Sequence, residues 1–474
     1  EMEMSMATTA TSPLNNSRNY QPVSIDAEAV PEDELETVTS PHTPFWHLLV
    51  SFWTLGLLNN ASYVIMIACA KNISEGGTAL VFLANVGPSM IVKLSAPYWF
   101  DHVTYKHRMF MATVAMVGSF SLVASNSSEN ATSTSASKIA LAWKLLGVAL
   151  GSLQSGLGEA SLLALAGKCD GEKSSSTDSK RQCLTCFSSG TGMAGVFGFF
   201  WKWFWSDFFG LPVSTMLWLA MVLPVGYWGT FRHVMEIESQ LAPIAATSES
   251  SIPEEAMPSE ESALANDASF EAFSSPERIG HRTKVENMTV YQRFCFVLRL
   301  WPYIVPLFTV YASEYALQAG TWTAIGFPVT DVESRDRFFE FSNWMYQAGV
   351  FLSRSSGTLW TAPIWILWLM PGLQCVNLAL FSYVASHANT TSLYSPTTLY
   401  FGAFYTGLLG GLSYINSYTR ICKDISLEYQ ELALSSTSVG ESLGIVVADI
   451  LGLFIQSCLY RTNGLDGAIV QCPI

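Results

Sequence analysis

Ionisable and hydrogen-bonding side chains recur in this chain within segments otherwise apolar enough to lie in lipid. In 305–318, VPLFTVYASEYALQ, residues Tyr311, Glu314, Tyr315 and Gln318 follow i, i+3, i+4 and i+7 spacing. One helical face therefore offers a carboxylate, two phenols and an amide. Tyr346, Gln347 and Arg354 fall within 346–356, YQAGVFLSRSS, with Gln347 and Arg354 seven apart on a shared face. An arginine cannot shed its charge, so at membrane depth it needs an acidic partner or an anionic ligand; snorkelling to the interface is the competing role. Lys93, Lys144, Glu159, Glu441 and Asp449 interrupt other apolar runs. Each such charge costs roughly 2.5–3.5 kcal/mol at a helix centre on insertion scales, so it ordinarily faces a partner or an aqueous path. Asn59, Asn60, Tyr63, Tyr414 and Asn416 add neutral hydrogen-bonding groups. The chemistry this toolkit suits is reversible binding of a polar solute, with a carboxylate such as Glu314 holding substrate or a proton. A structural hydrogen bond joining helices is the alternative role for Glu314, and an ion pair with Lys93 is one for Glu159.

The motifs of bond-breaking chemistry are missing. The sequence has no G-x-x-x-x-G-K-[ST] phosphate loop, no H-E-x-x-H and no G-x-S-x-G, which argues against an ATP motor, a zinc hydrolase or an intramembrane serine hydrolase. Cys183 and Cys186 form one C-x-x-C, but no second ligand pair is spaced nearby, so no metal and no cofactor are expected. Cys69, Cys375 and Cys458 fall inside expected spans. The nine cysteines therefore read as buried or lipid-modified thiols rather than a disulfide framework.

The elements that must position these groups are transmembrane helices. Half of the 474 residues are apolar, 13% are charged, and the mean hydropathy is +0.29. Runs of about 20 apolar residues suffice to cross a hydrocarbon core. Eleven spans are expected, at about 45–70, 79–100, 109–125, 139–166, 184–205, 214–231, 300–325, 343–360, 362–385, 398–418 and 432–460. Six precede a long polar loop and five follow it. The expected class is an all-α polytopic membrane protein of two helical bundles, as in the major-facilitator architecture with its last helix missing. The divisions are an acidic N-terminal tail (1–44), a six-helix bundle (45–231), an acidic loop (232–299), a five-helix bundle (300–460) and a short tail (461–474).

The net charge of −14 is localised. Residues 1–44 hold eight acids and one base, residues 233–292 hold eleven acids and three bases, and the rest of the chain sums to +1. Both tracts have the composition of disordered segments, suited to spacing, phosphorylation or recruitment of cytosolic trafficking factors. No basic patch points to nucleic acid. The acidic start lacks the features of a cleavable secretion signal, so the first apolar segment is expected to direct membrane insertion.

With the N-terminus in the cytosol, nine Lys and Arg residues fall in short cytosolic loops and five on the opposite side. The sequons at Asn72, Asn126, Asn130 and Asn389 then face the lumen and are the expected glycan sites. Those at Asn15 and Asn287 face the cytosol, and Asn60 lies within the first span, so these three are expected to be silent. Glycines 147, 151, 156 and 158 read as packing devices between helices.

Taken in order, GLLNNASYV (56–64), GPSMIVKLSAP (87–97), SGLGEASLLALAG (155–167), SSGTGMAG (188–195), VPLFTVYASEYALQ (305–318), YQAGVFLSRSS (346–356), LLGGLSYIN (408–416) and ESLGI (441–445) resemble the battenin family. The resemblance covers nearly all the membrane portion and excludes the acidic tracts. It implies a fold related to the major facilitators, residence in lysosomal or vacuolar membranes, and a role in clearing glycerophosphodiesters from the lumen, with links to basic amino acids and luminal pH. It also implies that Glu314, Arg354 and Glu441 occupy sensitive positions. Two departures stand out. Gln471 lies where animal relatives carry a prenylated cysteine, with Cys472 following, and Asn85 lies where some relatives carry a carboxylate. A scaffold that transports nothing is the alternative from a different class. Anionic and cationic substrates both find partners among these residues, so residue types alone leave glycerophosphodiesters and basic amino acids open, with protons as a further passenger.

Overall fold

In lipid every backbone N–H and C=O must find its partner within the segment, and apolar runs of this length meet that demand as helices. The computed structural model describes residues 43–69, 78–127, 134–171, 182–249, 288–387 and 393–473, together with Ile73 and Val285 and without Gly467 and Ile469. Helices in the first half are α1 (Thr43–Ala68), α2 (Thr78–Trp99), α3 (Tyr105–Asn126), α4 (Thr134–Gly171), α5 (Gln182–Lys202), α6 (Val213–Leu219) and α7 (Val222–Glu249). The second half contains α8 (Val290–Arg299), α9 (Trp301–Ala316), α10 (Val332–Arg354), α11 (Ile364–Ser386), α12 (Pro396–Asp424) and α13 (Leu427–Asn463). A wider, π-type turn continues α5 through Trp203–Phe208, and another continues α9 through Leu317–Thr321. Seven helical segments among the described residues are long and apolar enough to cross a membrane, or eight when the bent pair Val290–Arg299 and Trp301–Ala324 is taken as one span. Each of the eleven expected spans overlaps a helix or a broken helical run, but the one expected at 343–360 is displaced, since α10 starts at Val332 and ends at Arg354.

Local signals fix several ends. Asp331 caps α10, its carboxylate accepting the Ser334 backbone N–H at 2.9 Å. The Ser334 hydroxyl and backbone hydrogen bonds hold that exposed carboxyl below its ordinary range. Gly464, at φ +63°, takes the left-handed conformation that closes the last turn of α13.

The pairing of helices repeats with a step of six passes. Counting α6 with α7 as the sixth pass and α9 as the seventh, α1 packs on α5 as α9 packs on α13, and α2 packs on α4 as α10 packs on α12. Between halves, α2 meets α13 and α5 meets α10, which are the same contact under that step. Two bundles related in this way form a major-facilitator-like arrangement.

Glycines set how closely the helices approach. A Cβ at Gly190 would meet the Trp53 carbonyl where α5 crosses α1, and one at Gly407 would meet the Tyr346 carbonyl where α12 crosses α10. Small residues at such crossings let backbones approach when lipid supplies no hydrophobic drive. In α4, Gly156 abuts Ser89, and Gly158 abuts Asn59 and Tyr227. Asn59 accepts from the Tyr227 hydroxyl at 2.7 Å and from the Gln154 amide at 3.1 Å, and donates to the Ser155 carbonyl at 3.2 Å. This knot binds α1, α4 and α7. Gly158→Val should therefore destabilise the protein by about 1–3 kcal/mol, the usual range for overpacking, seen as a lower melting temperature of the purified protein in detergent.

Three expectations are revised by the structure. Cys458 and Cys472 form a disulfide, so the cysteines do not all remain thiols, and the final residues are tied back to α13. Ser457 strengthens that tie with a 2.6 Å hydrogen bond to the Val470 carbonyl. The stretch expected as loop from 232 is helical through Glu249, and Val290–Arg299 is helical before α9. The acidic tail, the centre of the acidic loop, and Asn72, Asn130, Asn389, Asn15 and Asn287 lie outside the described residues. Asn126 ends α3 half-exposed, its amide donating to the Leu122 carbonyl at 2.8 Å.

Candidate functional site

Pairing α2 with α13 across the halves brings the scattered charges together. Lys93 on α2 contacts Glu159 on α4 at 2.8 Å and also Glu441 on α13. The three side chains are 3–7% exposed. One ammonium has three donors, so it can serve both carboxylates. The Tyr414 hydroxyl on α12 donates to the other Glu159 oxygen at 2.7 Å, which adds a second bridge between halves. An ammonium shared by two carboxylates is a buried charge cluster, and losing one member strands the others in a poorly solvating site.

Arg354, at the end of α10, is held differently. Its guanidinium donates to the Thr191 hydroxyl on α5 at 2.6 Å and to the Tyr311 hydroxyl on α9 at 2.7 Å, and lies 3.9 Å over the Tyr414 ring. Its Nε is buried without a hydrogen-bond partner. Among the described residues no carboxylate lies within ion-pair distance of Arg354. The arginine is 9% exposed, held among α5, α9 and α12.

Between the halves these groups border a polar cavity of about 70 Å³. In a measure where one water needs roughly 10–15 Å³, that is room for a handful of waters. Asn60, Tyr63 and Lys93 line it from the first half, and Tyr315, Arg354 and Glu441 from the second. Glu159 and Tyr311 also reach it. Asn85, Ser89, Ser155 and Ser442 complete the polar lining, and residue type alone did not single out the three serines. Their signal was positional, since Ser89 lies one helical turn before Lys93, Ser155 one turn before Glu159, and Ser442 beside Glu441.

Other expected site residues lie off the cavity. Glu314 is buried behind it, accepting from the Tyr346 hydroxyl at 3.1 Å, and its second oxygen packs on Gly410 without a hydrogen-bond partner. Gln318 falls in the π-type turn after α9 with a buried, unpartnered amide nitrogen. Gln347 packs against Gly195 where α10 crosses α5. Asn416 is a local brace, accepting the Ala362 backbone N–H at 2.6 Å and donating to the Leu412 carbonyl at 2.9 Å. Lys144 and Asp449 are half-buried on α4 and α13.

At one end of the bundles, further ion pairs join the halves. Arg108 at the start of α3 reaches Glu431 on α13 at 2.9 Å and stacks on Phe100 and Tyr105, 4.3 and 4.2 Å from the ring centroids. Arg293 on α8 reaches Asp101 in the α2–α3 turn at 2.6 Å and donates to the Pro97 carbonyl at 2.6 Å. Both arginines are nearly fully buried.

The chain resembles known proteins over nearly its whole membrane portion. It is 30% identical over 420 residues to Protein BTN1 of Candida albicans, covering 86% of this chain and 92% of that protein. It is 28% identical over 470 residues to Battenin of Canis lupus familiaris, covering 90% and 96%. Among solved structures, a bacterial homologue of the iron transporter ferroportin in an outward-facing state aligns over 89% of this chain and 99% of that one, with 12% identity and a TM-score of 0.48. The model of one family, described as CLN3 protein, matches residues 50–462, a stretch that runs from α1 to the end of α13 and contains every charged group of the cavity. This multi-pass membrane chain belongs to the CLN3 protein family.

Proposed function

We propose that the protein is a secondary transporter of the lysosomal or vacuolar membrane. It carries a small polar metabolite, a glycerophosphodiester, from lumen to cytosol by alternating access of its two bundles. The observation that carries this reading is Arg354: a buried guanidinium beside an interbundle cavity, braced by two hydroxyls and a ring rather than a carboxylate. A cation so prepared suits a singly charged phosphodiester, which accepts from guanidinium N–H groups. Asn60, Tyr63, Asn85 and Tyr315 then supply partners for glycerol hydroxyls. A basic amino acid would need a carboxylate free for its cationic side chain, whereas Glu159 and Glu441 are both already paired with Lys93.

The small cavity volume fits a state in which the bundles must part before substrate enters. Arg108–Glu431 and Arg293–Asp101 would be the closed cytosolic gate in this state, with the N-terminus cytosolic. Arg108→Met should loosen that gate. In a background without other reactive cysteines, a cysteine at Ser89 should label about tenfold faster with an impermeant maleimide from the α2–α3 end, which corresponds to roughly 1.4 kcal/mol of closure energy.

The decisive experiment is reconstitution of the purified chain in liposomes with labelled glycerophosphoglycerol. Saturable uptake supports the reading, and absence of uptake with and without a pH gradient refutes the substrate. Deleting residues 250–284, which spares α7 and α8, separates transport from scaffolding, because uptake survives that deletion only in a transporter whose site lies between the bundles.

A further inference from the structure

The cavity's cations are already compensated. Lys93 and Arg354 bring two positive charges, and Glu159 and Glu441 bring two negative ones, all within one buried cluster. An anion entering that cluster would add a third negative charge to two positive ones. In a site of low effective dielectric such an imbalance is strongly disfavoured, and the usual resolution is protonation of one carboxylate. Resting on the transport reading above, we propose that the cavity takes up one proton with each monovalent organic anion. The anion replaces Glu441 at Lys93, and the proton neutralises the released carboxylate.

Glu441 rather than Glu159 is the exchanging group for two geometric reasons. Glu159 has a second anchor in the Tyr414 hydroxyl, at 2.7 Å. Glu441 belongs to α13 in the second half while Lys93 belongs to α2 in the first, so their contact must break whenever these helices separate. Protonation of Glu441 therefore releases an interbundle latch as well as balancing charge.

The surroundings offer no other compensating cation among the described residues. Lys93 faces Glu441 from α2, Glu159 from α4, and Arg354 from α10. Phenols face it from α1 (Tyr63), from α9 (Tyr311 and Tyr315) and from α12 (Tyr414 and Tyr418). Glu314 on α9 adds a further acidic group. Phenols donate hydrogen bonds without neutralising a carboxylate.

The proton balance is simple. On the luminal side a proton from water adds to the Glu441 carboxylate as the phosphodiester binds Lys93 and Arg354. On the cytosolic side the anion leaves, Glu441 returns its proton to water, and the carboxylate pairs again with Lys93. One negative and one positive charge cross together, so the cycle is electroneutral and an acidic lumen drives export.

The test uses the purified chain and sn-glycero-3-phosphoglycerol, a monovalent anion. Calorimetric titration at pH 7 in buffers of different ionisation enthalpy counts the protons taken up on binding. The expected count is about one per anion for the wild-type chain and near zero for Glu441→Gln. In liposomes, wild-type uptake should follow the pH gradient and ignore an imposed membrane potential. Glu441→Gln should lose accumulation driven by the gradient, at least tenfold, and whatever uptake it keeps should become sensitive to an imposed membrane potential, because the anion would then cross without its proton. Binding without proton uptake, or uptake that follows the membrane potential, overturns the coupling while leaving the transport reading intact. Failure of the wild-type chain to bind or move the anion overturns both.

Discussion

Arg354→Lys is expected to reduce glycerophosphodiester uptake by reconstituted protein at least tenfold, and Arg354→Gln to abolish it. Lysine keeps the charge but loses the fork. The two terminal nitrogens of Arg354 hold Thr191 on α5 and Tyr311 on α9 at once, while the plane rests on the Tyr414 ring. A single ammonium on a flexible stem cannot satisfy both hydroxyls, stack on the ring and still present a donor to an incoming phosphate. A tenfold loss corresponds to about 1.4 kcal/mol, near the low end of the 1.5–3 kcal/mol or so typical of one charged hydrogen bond. Glutamine removes the charge itself, so an anion would enter facing Glu159 and Glu441 with only Lys93 to offset them. Concentration dependence of labelled uptake, at matched protein per liposome, checks both variants. Wild-type rates in Arg354→Gln would show that the guanidinium does not meet the passenger.

Lys93→Met should be the most damaging single change to stability, costing about 3–5 kcal/mol, the range for breaking a buried ion pair by removing one partner. Methionine fills a similar volume but leaves Glu159 and Glu441 facing each other across the interface, both nearly inaccessible to water. The double change Lys93→Met with Glu441→Gln should recover more than half of that loss, because only Glu159 is then left charged, and it retains Tyr414. The readout is thermal unfolding of detergent-purified protein followed through tryptophan fluorescence. Equal melting temperatures for the single and double variants would mean that the two carboxylates do not depend on one lysine. The comparison also separates stability from transport, since Lys93 serves both as structural counter-ion and as a cavity-lining cation.

Much of the scaffold was legible because membrane segments are specified locally. A run of apolar residues long enough to span lipid must become a helix, whatever its neighbours, so the eleven expected spans fall on helical runs. The ends were less legible. α7 runs on through Pro243 to Glu249, so neither the end of the apolar run nor the proline marked where it would stop. The disulfide between Cys458 and Cys472 escaped because it links a span to the following tail, and cysteine count alone does not reveal proximity.

The site divides along the same line. Helical periodicity put Tyr311, Glu314, Tyr315 and Gln318 on one side of α9, but not the depth at which each would lie, and the π-type turn at Leu317 carries Gln318 out of strict register. Glu314 was singled out as an ionisable group in an apolar helix, yet it sits behind the cavity with Tyr346 as its partner. Asn416 attracted notice as a polar residue in a span and instead braces the backbone at Ala362.

Composition and periodicity by themselves determined that this chain crosses a membrane many times and that its apolar helices carry charges needing partners. Which charges meet was decided only by tertiary packing. Lys93 and Glu441 are 348 residues apart, and they touch because α2 crosses α13 between the two bundles. The same packing gave Arg354 hydroxyls instead of a carboxylate. The physical reason is range: helix formation in lipid is enforced by each segment's own backbone, whereas the pairing of buried charges depends on which helix faces come together across the fold.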